Sequence, residues 1–155
     1  MRHAISVLVE NKAGVLARIA NLFSARGYNI DSLAVGETED PSISRMTIIV
    51  RGDERILEQI EKQLNKLIDV ITVTDFTKKE HVERELILVK VGYSPKEKNK
   101  LEAVLKKYLA KLIKHGSGTA ILEAVGEQQQ IRQLLEELSG FEIKELIRTG
   151  KIAMA

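Results

Sequence analysis

The chain has no cysteine and no tryptophan, only two prolines, and aromatic residues make up just 4% of its 155 positions. Without cysteine there are neither disulfides nor thiolate metal sites, which fits an intracellular protein. Charge of one sign is missing as well. The 24 basic and 22 acidic residues leave a formal +2, so nothing in the balance marks a nucleic-acid binder. No apolar run approaches the roughly 18 residues that cross a bilayer. Met1 to Val7 alternates where a signal peptide would carry an unbroken apolar core. The expectation is a cytoplasmic chain with no membrane and no nucleic acid among its partners.

Catalytic apparatus is equally scarce. His3, His81 and His115 fall on separate segments without an i,i+4 companion, and pairs such as Glu136-Glu137 read as solvated helix faces. No nucleophile stands beside a base, so no catalytic residue and no metal ligand are assigned.

What is present is periodicity. His3 to Glu10 alternates as a strand. Val15, Leu16, Ile19, Leu22 and Phe23 recur at helical spacing until Gly27 stops them. Tyr28 to Glu37 and Ile43 to Arg51 read as strands joined by "TEDPS". Asp53 is placed to cap a helix with Ile56, Leu57, Ile60, Leu64 and Leu67 on its apolar side, and Val70 to Phe76 closes the half as a strand.

The pattern then repeats. Leu86 to Val91 is an apolar strand, and Ser94-Pro95 opens a helix carrying Leu101, Val104, Leu105 and Tyr108. Leu109 to Lys114 and Thr119 to Val125 form a hairpin around "HGSG". Ile131, Leu134, Leu135 and Leu138 lie on a last helix, and Phe141 to Ile147 returns as a strand. Each half reads β-α-β-β-α-β, the ferredoxin-like order, so the expected class is α+β with two such modules, residues 1–77 and 78–155. An RNA-binding sheet would need exposed aromatics, which the first strand lacks. A metal chaperone would need Cys-x-x-Cys after that strand, where the chain has Asn11-Lys12-Ala13-Gly14.

That turn has its own chemistry. Glycine adopts backbone angles closed to other residues, and the first N–H groups of the following helix lack internal acceptors, which suits a carboxylate. The amides of Asn11 and Asn29 accept from an ammonium or donate to a carboxylate. Together these groups suit an amino acid, although a turn and a strand start account for the same spacing.

The segments "HAISVLVENKAGVLARIANLFSARGYNIDSLAVG", "SRMTIIVRGD", "LEQIEKQLNKLIDV", "HVERELILVKV" and "ELIRTGKIAMA" closely resemble the small, regulatory subunit of acetolactate synthase, with an N-terminal ACT domain. The resemblance spans nearly the whole chain. It implies a non-catalytic partner of a large catalytic subunit in branched-chain amino acid synthesis, activating that subunit and making it responsive to valine or a related amino acid. It implies no cofactor in this chain; thiamine diphosphate, magnesium and FAD are expected on the catalytic partner. It also implies a homodimer through the ACT domains. By motif, Asn11 and Gly14 hold effector from one protomer and Asn29 and Ile30 face it from the other. Lys12, Ala13, Val15 and Leu16 share the loop, and Val35 is assigned to the apolar side. A stand-alone amino-acid-sensing ACT protein without an enzyme partner is the rival expectation.

Overall fold

Alternation along β1 (Arg2–Glu10) sends Ile5, Val7 and Val9 to one face, where they are buried. Above that face, α1 (Val15–Ala25) contributes Val15, Ile19, Leu22 and Phe23 at helical spacing. Strands β2 (Ile30–Glu37) and β3 (Ile43–Arg51) follow, then α2 (Glu54–Leu64) and β4 (Val70–Asp75). The sheet runs β2-β3-β1-β4 and all its pairings are antiparallel. Leu57, Ile60 and Leu64 complete the core from α2, each buried side chain contributing about 1.5–3 kcal/mol relative to exposure. This is the ferredoxin-like arrangement expected of the first half, with β2 left as an outer edge.

The structure is a computed structural model that describes residues 1–155. It separates into one unit of Met1–Val82 with Lys151–Ala155 and a second of Glu83–Gly150. The second unit repeats the order: β5 (Val82–Gly92), α3 (Lys98–Lys107), β6 (Lys111–Gly116), β7 (Thr119–Gly126), α4 (Gln128–Leu138) and β8 (Glu142–Arg148). Its strands are ordered β6-β7-β5-β8. Ile87, Val89, Val91, Leu122, Leu134 and Leu138 form the heart of its core.

Several local expectations shift. Ser94 does not cap a helix; its hydroxyl donates to Glu97 at 3.1 Å, and a 3-10 turn over Pro95–Glu97 precedes α3. Leu109 belongs to no strand. A last strand, β9 (Ile152–Met154), was not expected, and Ala153 packs with Ala4, Ile49 and Phe76 in the first unit. The first unit thus runs to Val82, and the chain's last five residues group with it.

Candidate functional site

Gly14 is the N-cap of α1 and lies in the left-handed region, φ 86° and ψ −11°. A side chain there would be strained, which is why the turn needs glycine. No side chain caps the helix. Val15 N–H reaches the Lys12 carbonyl only at 3.3 Å, Arg18 N–H donates to Gly14 O at 3.0 Å, and the N–H groups of Leu16 and Ala17 find no acceptor in the protein. The helix start is therefore open to an anion.

The turn is held from outside. Asn11 N–H donates to Ser42 O at 2.7 Å, and the Asn11 side-chain amide donates to Pro41 O at 2.9 Å and Glu37 Oε1 at 3.3 Å. Asn11 thus spends its side-chain donors on the loop, and its carbonyl oxygen can act only as an acceptor. The Lys12 ammonium pairs with Glu10 at 2.9 Å, a bond that raises the lysine above its ordinary value. Ala13 and Leu16 are exposed, while the Val15 side chain is buried in the core.

Sequence reasoning passed over Arg18. An ideal Cβ on Gly14 would lie 2.8 Å from the Arg18 Nη1 atom, so the guanidinium stands directly over the turn. Its Nε donates to Asp69 Oδ2 at 2.8 Å, which aims the arm and leaves the Nη donors at the helix start. The available signal was spacing, since Arg18 is one helical turn beyond Gly14.

Asn29 and Ile30 lie at the other end of the sheet. Ile30 pairs with Val50, which also faces His3, whereas Glu37 pairs with Ser44, which also faces Val9. The length of β2, roughly 23 Å at strand rise, separates Asn29 from Asn11 within one chain. The Asn29 amide donates to Asp31 at 3.1 Å. Asp31 is paired twice: Arg51 approaches at 2.7 Å and Arg2 at 3.1 Å. The Arg51 hydrogen bond, foremost, holds this carboxyl below the usual range against the opposing effect of desolvation. Val35 sits midway on the β2 edge, 46% exposed, on the same face as buried Met46. A depression of about 770 Å³ is found in the second unit and not at this turn.

Residues 5–72 match the family described as the AHAS small subunit-like ACT domain, and residues 84–155 match the small subunit of acetolactate synthase. The chain belongs to the acetolactate synthase small-subunit family. It is 45% identical to a probable acetolactate synthase small subunit of Archaeoglobus fulgidus, over 99% of this chain and 96% of the other. A probable small subunit of Methanothermobacter thermautotrophicus is 48% identical over 99% of this chain and 92% of its own length. The crystal structure of the small subunit from Thermotoga maritima superposes with a TM-score of 0.91 at 38% identity, covering 99% of this chain and 96% of that one. Family membership makes this the regulatory chain and not the catalytic one. No helix is long and apolar enough to cross a membrane.

Proposed function

We propose that the β1–α1 turn is half of an effector site for valine or a closely related branched-chain amino acid, and that a second copy of the chain supplies the other half. The carrying observation is the left-handed Gly14, with the unpaired Leu16 and Ala17 N–H groups and the Arg18 guanidinium converging on it. Two cationic or partly positive groups favour a carboxylate, and the Asn11 carbonyl oxygen is left to accept from an ammonium.

The distance between Asn11 and Asn29 supports the two-copy reading. β2 is an outer strand of its sheet, and an uncovered edge favours pairing. Antiparallel pairing of β2 with the same strand of a second copy reverses its order. That brings Asn29 of the partner subunit and Ile30 of the partner subunit beside Glu37, the residue to which Asn11 donates. The apolar edge residues Leu33 and Val35 would be covered at the same time.

In this reading the chain works in the cytoplasm, activates the catalytic large subunit and confers feedback inhibition on it. Thiamine diphosphate, magnesium and FAD belong to that partner, and this chain brings only the amino-acid effector. Effector binding favours one arrangement of the paired ACT domains, and a coupling of about 1–3 kcal/mol suffices for a 5–150-fold response. The match of residues 84–155 to the small-subunit family favours an enzyme partner over a stand-alone sensor. Calorimetric titration of the purified chain with valine tests the site: binding at one valine per protomer is expected, and no heat with valine, leucine or isoleucine would refute it.

A further inference from the structure

The two units carry their cores in the same register. Ile5, Val7 and Val9 on β1 answer to Ile87, Val89 and Val91 on β5, and Ile19, Leu22 and Phe23 on α1 to Leu101, Val104 and Leu105 on α3. Leu57, Ile60 and Leu64 on α2 answer to Ile131, Leu134 and Leu138 on α4. Both first helices also end in the same hydrogen-bonded motif. Tyr28 N–H donates to Phe23 O at 3.0 Å around left-handed Gly27, φ 69°, and Ala110 N–H donates to Leu105 O at 2.9 Å around left-handed Leu109, φ 54°. Tyr28 and Ala110 are therefore counterparts, and so are Gln59 and Gln133.

These counterparts differ in one consequential way. In the first unit the Tyr28 ring packs against the core, and its hydroxyl donates to Gln59 Oε1 at 2.8 Å, bridging the end of α1 to α2. In the second unit Ala110 has no ring to do this. The side-chain amide of Gln133 is without a partner, and the groove between the end of α3 and α4 is the open depression of about 770 Å³. Ile131 and Leu134 give it an apolar floor, and Val125 and Leu109, 56% and 87% exposed, stand at its rim.

One wall of the depression is polar and held by mutual contacts. Glu137 Oε1 accepts from the Tyr108 hydroxyl at 2.7 Å and from the Lys107 ammonium, which itself lies 5.2 Å from the centre of the Tyr108 ring. The Lys107 bond first, and the Tyr108 bond after it, hold the Glu137 carboxyl below its ordinary range, so the pair stays charged. Glu137 Oε2 and the remaining Lys107 N–H donors are left over for a ligand.

From this geometry we infer that the depression is a second small-molecule site, for an α-amino acid with an aromatic side chain. The ligand's ring lies over Ile131 and Leu134, where the first unit carries Tyr28; its ammonium meets Glu137 and its carboxylate meets Lys107. A phosphate or a dicarboxylate is the poorer ligand, because Glu136 and Glu137 set two carboxylates beside the one lysine. Valine has no ring for this slot, which keeps the site apart from the one at Gly14. The inference stands independently of the regulatory reading.

The test is calorimetric titration of the full-length chain with L-phenylalanine and with L-tyrosine. Saturable binding of at least one of them is expected at one per chain, and unchanged in Gly14→Asp. Glu137→Gln removes the partner of the ammonium yet keeps an acceptor for Tyr108, and should weaken binding at least tenfold. Ala110→Tyr supplies the ring from the chain itself; it should weaken binding at least as much while resistance to denaturant equals or exceeds the parent's. The 2-oxo acid of phenylalanine, which lacks the ammonium, should bind at least tenfold more weakly than the amino acid. No heat with either amino acid overturns the site, as does binding that Gly14→Asp abolishes, which would belong to the first unit. Affinity unchanged in Glu137→Gln also overturns it, and decides the matter alone if Ala110→Tyr does not fold.

Discussion

Arg18 stands over Gly14 and is bonded to it: its N–H donates to the Gly14 carbonyl at 3.0 Å, and its guanidinium lies 2.8 Å from where a Cβ on Gly14 would begin. The glycine therefore keeps open the space between a helix start and a cation. Replacing Gly14 with aspartate fills it with a carboxylate that pairs with Arg18 in the ligand's place. Aspartate tolerates the left-handed region better than most residues, so the expected loss of stability is about 1 kcal/mol. Calorimetry should show valine binding abolished, while thermal unfolding stays cooperative.

Arg18→Ala should weaken valine binding by about tenfold or more, the loss of one charge-assisted contact of about 1.5–3 kcal/mol. Its ion pair with Asp69 lies at the surface, where such pairs contribute about 0–1 kcal/mol, so folding should change little. Equal affinity in the variant and the parent would take Arg18 out of the site.

The β2 edge gives a separate test. Val35→Lys places a charge where a second copy must pair, at a side chain already half exposed, and should shift the chain toward monomer in sedimentation at micromolar concentration. Valine affinity should fall with it, because the site is completed across the pair.

Asp31 sets a dependence on acid. Its folded-state pKa is lowered, chiefly by Arg51, so the unfolded chain binds the proton more readily. The stabilisation is present above the ordinary carboxylate value and disappears as pH falls through the lower, folded one. Asp31→Asn should flatten the fall in denaturant resistance between neutral and acidic pH, and an unchanged slope would show that the Arg2 and Arg51 contacts do not bind the carboxylate preferentially.

Much of the fold was legible because local signals agreed with tertiary ones. Asp53 caps α2 as its spacing suggested, accepting from Ile56 N–H at 2.9 Å, and Asp53→Ala should cost about 1 kcal/mol in denaturant unfolding. Gly27 ends α1 with the positive φ its identity implied. Legibility failed where the deciding partner was distant or the rule was broken. Leu109 read as strand because leucine seldom occupies the left-handed end of a helix. Ile152–Met154 is too short to carry a period, and its place depends on Ala4, Ile49 and Phe76 far back in the chain. The pairing of Asp31 carries no local signal, because Arg2 and Arg51 meet it only across the sheet. The turn at Gly14 was visible from sequence; spacing places Arg18 one helical turn beyond it, but what aims the guanidinium is Asp69, on a remote segment.

The most direct test of the regulatory account is acetolactate formation by the purified catalytic subunit, assayed with the parent chain and with Gly14→Asp across a valine titration. The account predicts that both chains raise the rate and that valine lowers it only with the parent. A variant complex as sensitive to valine as the parent's, or a parent chain that leaves the catalytic rate unchanged, would contradict it.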